Sequence, residues 1–283
     1  LAVALSTVVH VVPLLLAALL KAVLPWRPAR RRLDRWLMAI AESWIGVNSA
    51  LVDRLTRTRF QVVVDAALRP DGHYLVLANH QSWVDIPVLQ KVFNRRIPLL
   101  RFFLKRQLFW VPLLGLAWWA LDFPFMRRYS REQLARRPEL AGRDIAATRR
   151  ACQRFADIPV AIMNFVEGTR FTAAKHGGQG SPYRHLLRPK SGGAAFVIDA
   201  MGSGLHAVLD VTVVYPGGAP SLADLFADRV RTVHVHVREL PIPPELAQGD
   251  YQGDEAYRGR FQDWINGLWQ AKDARIDALL AGG

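Results

Sequence analysis

Cysteine is almost absent from this chain of 283 residues: Cys152 is the single one, so no internal disulfide can form and no cysteine–histidine set has zinc-finger spacing. That usage fits a reducing compartment and not a secreted disulfide scaffold. Acidic residues are also few, 24 against 37 Lys and Arg, which leaves a net charge of +13, more than solubility asks for. The partner should be anionic. Long apolar runs are missing beyond the first twenty residues, which excludes a polytopic membrane protein. With 51% apolar and 22% charged residues, disordered and collagen-like chains are excluded too. The length is enough for one large domain that buries its own core, and no internal repeat is visible.

The basic side chains are clustered. Lys91, Arg95, Arg96, Arg101, Lys105 and Arg106 fall together with no acid between them, and Arg27, Arg30, Arg31, Arg32 and Arg35 follow an apolar amino-terminal stretch. Seven of the nine Trp lie in the first 119 residues. Trp mixed with Arg suits a membrane interface better than a nucleic-acid groove, so a phospholipid membrane is the expected partner and no nucleic acid is expected. Residues 1–20, LAVALSTVVHVVPLLLAALL, contain no Asp, Glu, Lys or Arg and are just long enough to span a bilayer core, with a kink expected at Pro13. The Arg cluster behind them should sit on the cytoplasmic side of a membrane. A buried core helix meets the same description and ranks second, because Trp and Arg flank only one end. Residues 33–58 continue as a helical segment whose apolar face, Leu33, Trp36, Leu37, Ile40 and Trp44 onward, either packs on the first helix or lies in the interface. The stretch Phe109–Leu121 is too short to span and is broken by Pro112 and Gly115.

After residue 59 the pattern changes to short β-branched runs. Phe60–Asp65, Tyr74–Ala78, Leu121–Met126, Val160–Val166, Leu209–Tyr215 and Val230–Val237 read as strands. Helices are expected at Pro87–Phe93, Leu104–Leu116, Arg131–Phe155, Gly192–Met201 and Tyr257–Leu280. This alternation predicts an α/β fold, a mixed, mostly parallel sheet flanked by helices. Residues 1–59 form the expected membrane-anchoring helical segment and residues 60–283 the α/β domain. Thr172–Pro189, Gly-rich and basic, reads as a mobile loop near the site.

Two strand ends carry chemistry. Asn79-His80-Gln81-Ser82-Trp83-Val84-Asp85 follows the strand Tyr74–Ala78. Histidine takes a proton near neutrality, and a carboxylate on its other nitrogen fixes the tautomer. On a continuous helix the two side chains would diverge, so a tight turn is required, and Pro87 favours a helix starting near Asp85. Read alone, the pair has an equal alternative in which Asp85 caps the helix and His80 is structural. The second strand end is Glu167-Gly168-Thr169-Arg170. Gly168 permits close backbone approach to a ligand, and the Arg170 fork suits phosphate oxygens. An ordinary Glu–Arg ion pair is its plain alternative.

In this order the pieces resemble the PlsC-type 1-acylglycerol-3-phosphate acyltransferases, which are lysophospholipid acyltransferases: Asn-His-x4-Asp, Lys105-x2-Leu108-x3-Pro112-x2-Gly115, Phe125-x2-Arg128, Glu167-Gly168-Thr169-Arg170, then a strand ending Tyr215-Pro216. The segments DFPFMRRYSRE, NFVEGTRFTAAKH and FQDWINGLWQAKD are similar to the bacterial YihG-type branch. Val166 departs from the proline that many members carry. The resemblance implies a glycerolipid-acyltransferase-like fold and O-acyl transfer from an acyl-CoA or acyl carrier protein thioester to a lysophospholipid hydroxyl, most simply lysophosphatidic acid giving phosphatidic acid. It implies His80 as general base and Asp85 as its orienting partner. Arg170, Arg128 and Lys105 would hold the acceptor phosphate, and Glu167, Gly168 and Thr169 would shape that pocket. No metal and no cofactor beyond the thioester co-substrate is implied. A noncatalytic basic membrane- or nucleic-acid-binding protein and a lipid thioesterase are the competing readings. Cys152 reads as a packed residue, and His234 and His236 as packed or on a solvated face, since two alternating ligands make a weak metal site. The carboxy-terminal stripe Phe261, Trp264, Ile265, Leu268, Trp269, Ile276, Leu280 is expected to pack on the body.

Overall fold

The computed structural model describes residues 1–123, 125–126, 136, 158–251 and 253–282. Two antiparallel helices lead, α1 (Ala2–Val23) and α2 (Arg27–Leu55). Val11, Leu14 and Ala18 of α1 are buried in one apolar cluster with Leu37, Ala41 and Ile45 of α2. Polar contacts set their register: Trp44 Nε1 donates to Thr7 Oγ1 (3.2 Å), His10 Nε2 meets Ser43 Oγ (3.2 Å), and Lys21 pairs with Asp34 (2.5 Å). Helix α1 is long and apolar enough to cross a membrane. Its outer side leaves Leu5, Val9, Val12, Leu16, Leu19 and Val23 exposed. Pro13 lies inside α1 without ending it. Helix α2 starts six residues before its apolar pattern does, because Pro28 sits in the first turn, where its missing N–H costs nothing. The Arg cluster therefore rides on the first turns of a helix.

The body is built from β1 (Arg59–Asp65), β2 (Tyr74–Ala78), α3 (Asp85–Phe93), β3 (Leu100–Phe102), β4 (Leu104–Lys105), α4 (Leu114–Ala120), β5 (Phe125–Met126), β6 (Ala161–Phe165), α5 (Ala173–Gln179), α6 (Gly192–Met201), β7 (Ala207–Val214), α7 (Leu222–Phe226), β8 (Thr232–Leu240) and α8 (Glu255–Ala281). The main sheet runs in the order β1-β8-β7-β2-β6-β3, and β4 pairs with β5 separately. Among the described residues the β7–β8 pairing is antiparallel and the other four pairings of the main sheet are parallel. The expected mixed, mostly parallel architecture is therefore what the chain adopts.

Strand β2 shows why the sheet is covered on both faces. All five of its residues are buried, so it reads as a continuous apolar run and not an alternating one. Tyr74, Val76 and Ala78 join the apolar cluster shared with α1, α2 and α3, while Leu75 and Leu77 join the cluster under α6 and α8. The carboxy-terminal stripe packs as expected up to Ile276, with Phe261, Ile265, Trp269 and Ile276 buried on the second face and Leu280 exposed. Lys272 of α8 is buried as well, donating to Val211 O (2.5 Å) and pairing with Asp210 (2.6 Å), whose other oxygen meets Arg238 (2.5 Å). Burial works against the Asp210 charge, but Lys272 and Arg238 outweigh it and hold the carboxyl below its usual range.

Several local expectations are corrected. Leu104–Leu116 is not one helix: β4 is followed by a 3-10 turn at Arg106–Trp110, and α4 begins only at Leu114, after Pro112 and a left-handed Leu113 (φ 62°). The strand expected at Leu121–Met126 is confined to Phe125–Met126, because Asp122 also takes a left-handed φ of 59°. Strand β3, Leu-Arg-Phe, is too short to show a period. Thr172–Pro189 is tied down instead of loose: Thr172 caps α5, Gly180 ends it at φ 55°, and the amides of Arg184 and His185 donate to Asp273 of α8 (2.7 and 2.8 Å). His234 and His236 are buried, with His236 Nε2 on Asp65 (2.7 Å). The helix expected at Arg131–Phe155, with Cys152, lies outside the described residues apart from Arg136.

Because Trp269 is fully buried while Leu280 is exposed, Trp269→Ala should destabilise the fold by about 3–5 kcal/mol and Leu280→Ala by less than about 0.5 kcal/mol. Urea denaturation of both variants measures this, and equal losses would contradict the packing of α8.

Candidate active site

Strands β7, β2 and β6 are parallel neighbours, so their carboxy-terminal ends open on one edge of the sheet. Ligand sites in such sheets lie outside that edge. Ala78 ends β2 opposite Phe165 of β6 and Val211 of β7, which sets the turn after β2 beside both of the other chain exits. Asn79, fully buried, extends the pairing with its side chain: Nδ2 donates to Val213 O (2.8 Å) and Oδ1 accepts from Val213 N (2.9 Å).

The turn that the sequence required is present. His80 Nδ1–H donates to Asp85 Oδ2 at 2.8 Å. Gln81 N (2.8 Å) and Ser82 N (2.9 Å) donate to the same oxygen, and the Tyr215 hydroxyl donates to Oδ1 at 2.7 Å. Asp85 does not act as the helix cap. It is the first residue of α3, yet its carboxylate folds back over residues 80–82 and no side chain caps that helix. Asp85 is fully buried and the His80 side chain is 12% exposed, so the ring sits at the site's rim with its partner behind it. Phe165 stacks on the imidazole, centroids 3.8 Å apart and planes within 13°. Among the described residues nothing hydrogen-bonds Nε2, which leaves that nitrogen able to accept a proton.

The second motif is stitched to the first. The buried Glu167 carboxylate accepts from His80 N (3.0 Å) and Leu187 N (3.1 Å), and Phe171 N donates to His80 O (2.7 Å). Burial pushes the Glu167 carboxyl up to about 7, against the lowering effect of those two amides. Gly168 turns the chain at φ 70°, a left-handed conformation that glycine adopts without cost, with its N–H on Phe165 O (2.9 Å). Arg170 is exposed and its guanidinium lies 4.8 Å from the centre of the Trp83 ring, which sits within the His80–Asp85 turn. Lys175 Nζ donates to Thr169 Oγ1 (2.8 Å) and Arg170 O (3.0 Å), adding a second cation.

Six of the eight residues singled out by sequence, His80, Asp85, Glu167, Gly168, Thr169 and Arg170, are thus gathered at one sheet edge. Lys105 lies in β4 with its side chain outside the described residues, as Arg128 is altogether. Asn79, Phe165, Lys175 and Tyr215 were not singled out for these contacts. Asn79 and Tyr215 each had a signal, Asn79 at the head of the Asn-His-x4-Asp motif and Tyr215 at the end of an expected strand. The arrangement can accept a proton at Nε2, keep the resulting imidazolium paired with a carboxylate, and offer cations to an anionic group nearby.

Known proteins are similar to this chain over most of its length. The family model described as Acyltransferase matches residues 59–216, more than half of the chain. Lysocardiolipin acyltransferase 1 of Mus musculus is 24% identical over 265 residues, covering 88% of this chain and 65% of that protein. 1-acyl-sn-glycerol-3-phosphate acyltransferase gamma of Mus musculus is 27% identical, covering 71% and 52%. 1-acyl-sn-glycerol-3-phosphate acyltransferase 2 of Arabidopsis thaliana is 26% identical, covering 74% and 52%. The chain therefore spans from about half to just under two thirds of these curated relatives. The crystal structure of the 1-acyl-sn-glycerophosphate acyltransferase PlsC from Thermotoga maritima covers 91% of this chain and 87% of its own, at 18% identity and a TM-score of 0.46.

A raised carboxyl makes the fold sensitive to pH in a definite direction. The Glu167 contribution to stability is fully present below 4.5 and is lost as pH rises to about 7. Measured by urea unfolding, wild type should lose ground to Glu167→Gln between pH 5 and pH 8. A difference that does not change with pH would contradict it.

Proposed function

This chain belongs to the acyltransferase family, in the PlsC-type group that its motifs resemble, and from that premise we propose that it moves a fatty acyl group from an acyl-CoA or acyl carrier protein thioester to the free hydroxyl of a lysophospholipid. Lysophosphatidic acid, giving phosphatidic acid, is the simplest acceptor. The observation that carries the reading is the 2.8 Å contact between His80 Nδ1 and Asp85 Oδ2 at a sheet edge that also bears Arg170.

The chemistry follows from the geometry. His80 Nε2 takes the proton of the acceptor hydroxyl as the oxygen attacks the thioester carbonyl. Asp85 keeps the ring oriented and stabilises the imidazolium. The tetrahedral intermediate collapses by breaking the carbon–sulfur bond, and the thiolate leaves with the proton that His80 carried. No acyl-enzyme forms, and holding both reactants in line supplies much of the rate. Arg170, with Arg128 and Lys105, holds the acceptor phosphate through charge-assisted hydrogen bonds. Glu167, Gly168 and Thr169 shape the pocket, Glu167 through the backbone it grips.

The same proposal puts the protein on a phospholipid membrane. Two features support it: the exposed apolar side of α1, and Trp110, Leu113, Leu116 and Trp119 exposed around α4. Arg27, Arg30, Arg31, Arg32 and Arg35 are exposed at the amino-terminal end of α2, where the helix dipole opposes positive charge. Anionic lipid would offset that repulsion. The cytoplasmic face of a bacterial inner membrane is the setting we infer. A different acceptor head group is the second reading, favoured by the similarity to lysocardiolipin acyltransferase 1.

Purified protein in vesicles, offered a panel of thioester donors and lysolipid acceptors with mass spectrometry of the products, tests reaction class and substrate range together. Folded His80→Ala should lose roughly 10²–10⁴-fold in rate. Wild-type transfer by that variant, or thioester cleavage that lysolipid does not accelerate, would overturn the proposal. Val9→Asp with Leu16→Asp should abolish flotation with anionic vesicles, and retained flotation would remove α1 from the membrane contact.

A further inference from the structure

The carboxylate behind His80 is held by more than the turn that carries it. Its Oδ2 takes three N–H donors, from His80, Gln81 and Ser82, all within 2.9 Å. Its Oδ1 takes one, the hydroxyl of Tyr215 at 2.7 Å. Tyr215 comes from a distant part of the chain, immediately after β7, and is 4% exposed.

Its position is set from two sides. Upstream, both backbone groups of Val213 are gripped by the Asn79 side chain. Downstream, Pro216 restricts Tyr215 to extended backbone. The contacts close a circuit: Asn79 to Val213, along the chain to Tyr215, across to Asp85, and back through His80 to Asn79. A buried tyrosine hydroxyl needs some partner, and this one finds the carboxylate that orients the proposed general base. Burial, and then the neighbouring Asp85 charge, hold the Tyr215 hydroxyl well above its ordinary range, so it remains a donor through the physiological range.

We propose that Tyr215 is a positioning residue: by donating to Oδ1 it fixes the plane of the Asp85 carboxylate, and thereby the orientation and tautomer of the His80 ring. This rests on the acyl-transfer reading above. Without the hydroxyl, Oδ1 is left with no donor among the described residues, and a buried, unsatisfied carboxylate oxygen is costly. The group can relieve that cost by rotating so that Oδ1 competes for the amides of Gln81 and Ser82. The rotation carries the acceptor away from His80 Nδ1. Small misplacements of this kind lower the rate without changing what binds.

Tyr215→Phe removes the hydroxyl and keeps the ring. In the vesicle assay, below its unfolding temperature, kcat should fall about tenfold to a hundredfold, with KM for donor and acceptor within about twofold of wild type. Spectra of 15N-histidine-labelled protein, with His80 assigned by its absence in His80→Ala, should show one protonated Nδ1 in wild type and a mixture of tautomers in Tyr215→Phe. In an Asp85→Ala background Tyr215→Phe should cost nothing further. If wild type and His80→Ala separate as expected while Tyr215→Phe keeps wild-type kcat and the single tautomer, the inference is overturned and the acyl-transfer reading stands. A fall in kcat with an unaltered His80 spectrum would equally overturn it, assigning Tyr215 a packing role only. An inactive wild type would instead strike the underlying reading.

Discussion

A carboxylate with no solvent around it has to be satisfied by donors from the protein, and at Asp85 that requirement organises the whole edge of the sheet. Four donors converge on it, from the imidazole of His80, two backbone amides of the turn, and a hydroxyl from the end of β7. Leaving one unmade would cost as much as a typical point mutation takes from a fold. The turn between β2 and α3 therefore closes tightly, the imidazole is drawn against Phe165, and Nε2 is the polar atom left facing outward. A chemical disposition follows from a solvation constraint.

Electrostatics around this point are graded. Behind the site lies a layer of ion pairs, Lys272 and Arg238 about Asp210, which joins α8 to the middle of the sheet. Beside it, Glu167 serves two backbone amides, and burial raises its carboxyl to about 7. At the rim come two cations that have no acidic partner among the described residues, Arg170 above Trp83 and Lys175 beside Thr169. The surplus of positive charge is thus displayed where an anionic head group would arrive. Further cations line the start of α2, next to the apolar side of α1. One lipid surface would meet both features.

Much of this was legible in the sequence, for identifiable reasons. Tyr74–Ala78 and Gly192–Met201 are placed to the residue, since an apolar run and an apolar helical pattern with firm boundaries are strong local signals. Asn79–Asp85 and Glu167–Arg170 were visible because short loops at strand ends carry residues that packing alone does not call for. What escaped is nonlocal or set by backbone. Leu113 and Asp122 adopt left-handed φ without being glycine, which dissolved one expected helix and shortened one expected strand. The tether of residues 172–189 to Asp273 joins segments far apart in the chain. The Tyr215–Asp85 contact spans 130 positions, and no spacing rule reaches that far.

In the proposed reaction a lipid hydroxyl, deprotonated by His80, attacks the thioester directly. The most direct test is the initial rate of transfer with donor and acceptor both varied, alongside the intact mass of protein incubated with donor alone. Direct attack requires both substrates bound together, which gives intersecting double-reciprocal lines and an unmodified protein mass. Parallel lines with a stable acyl adduct on the protein would contradict it.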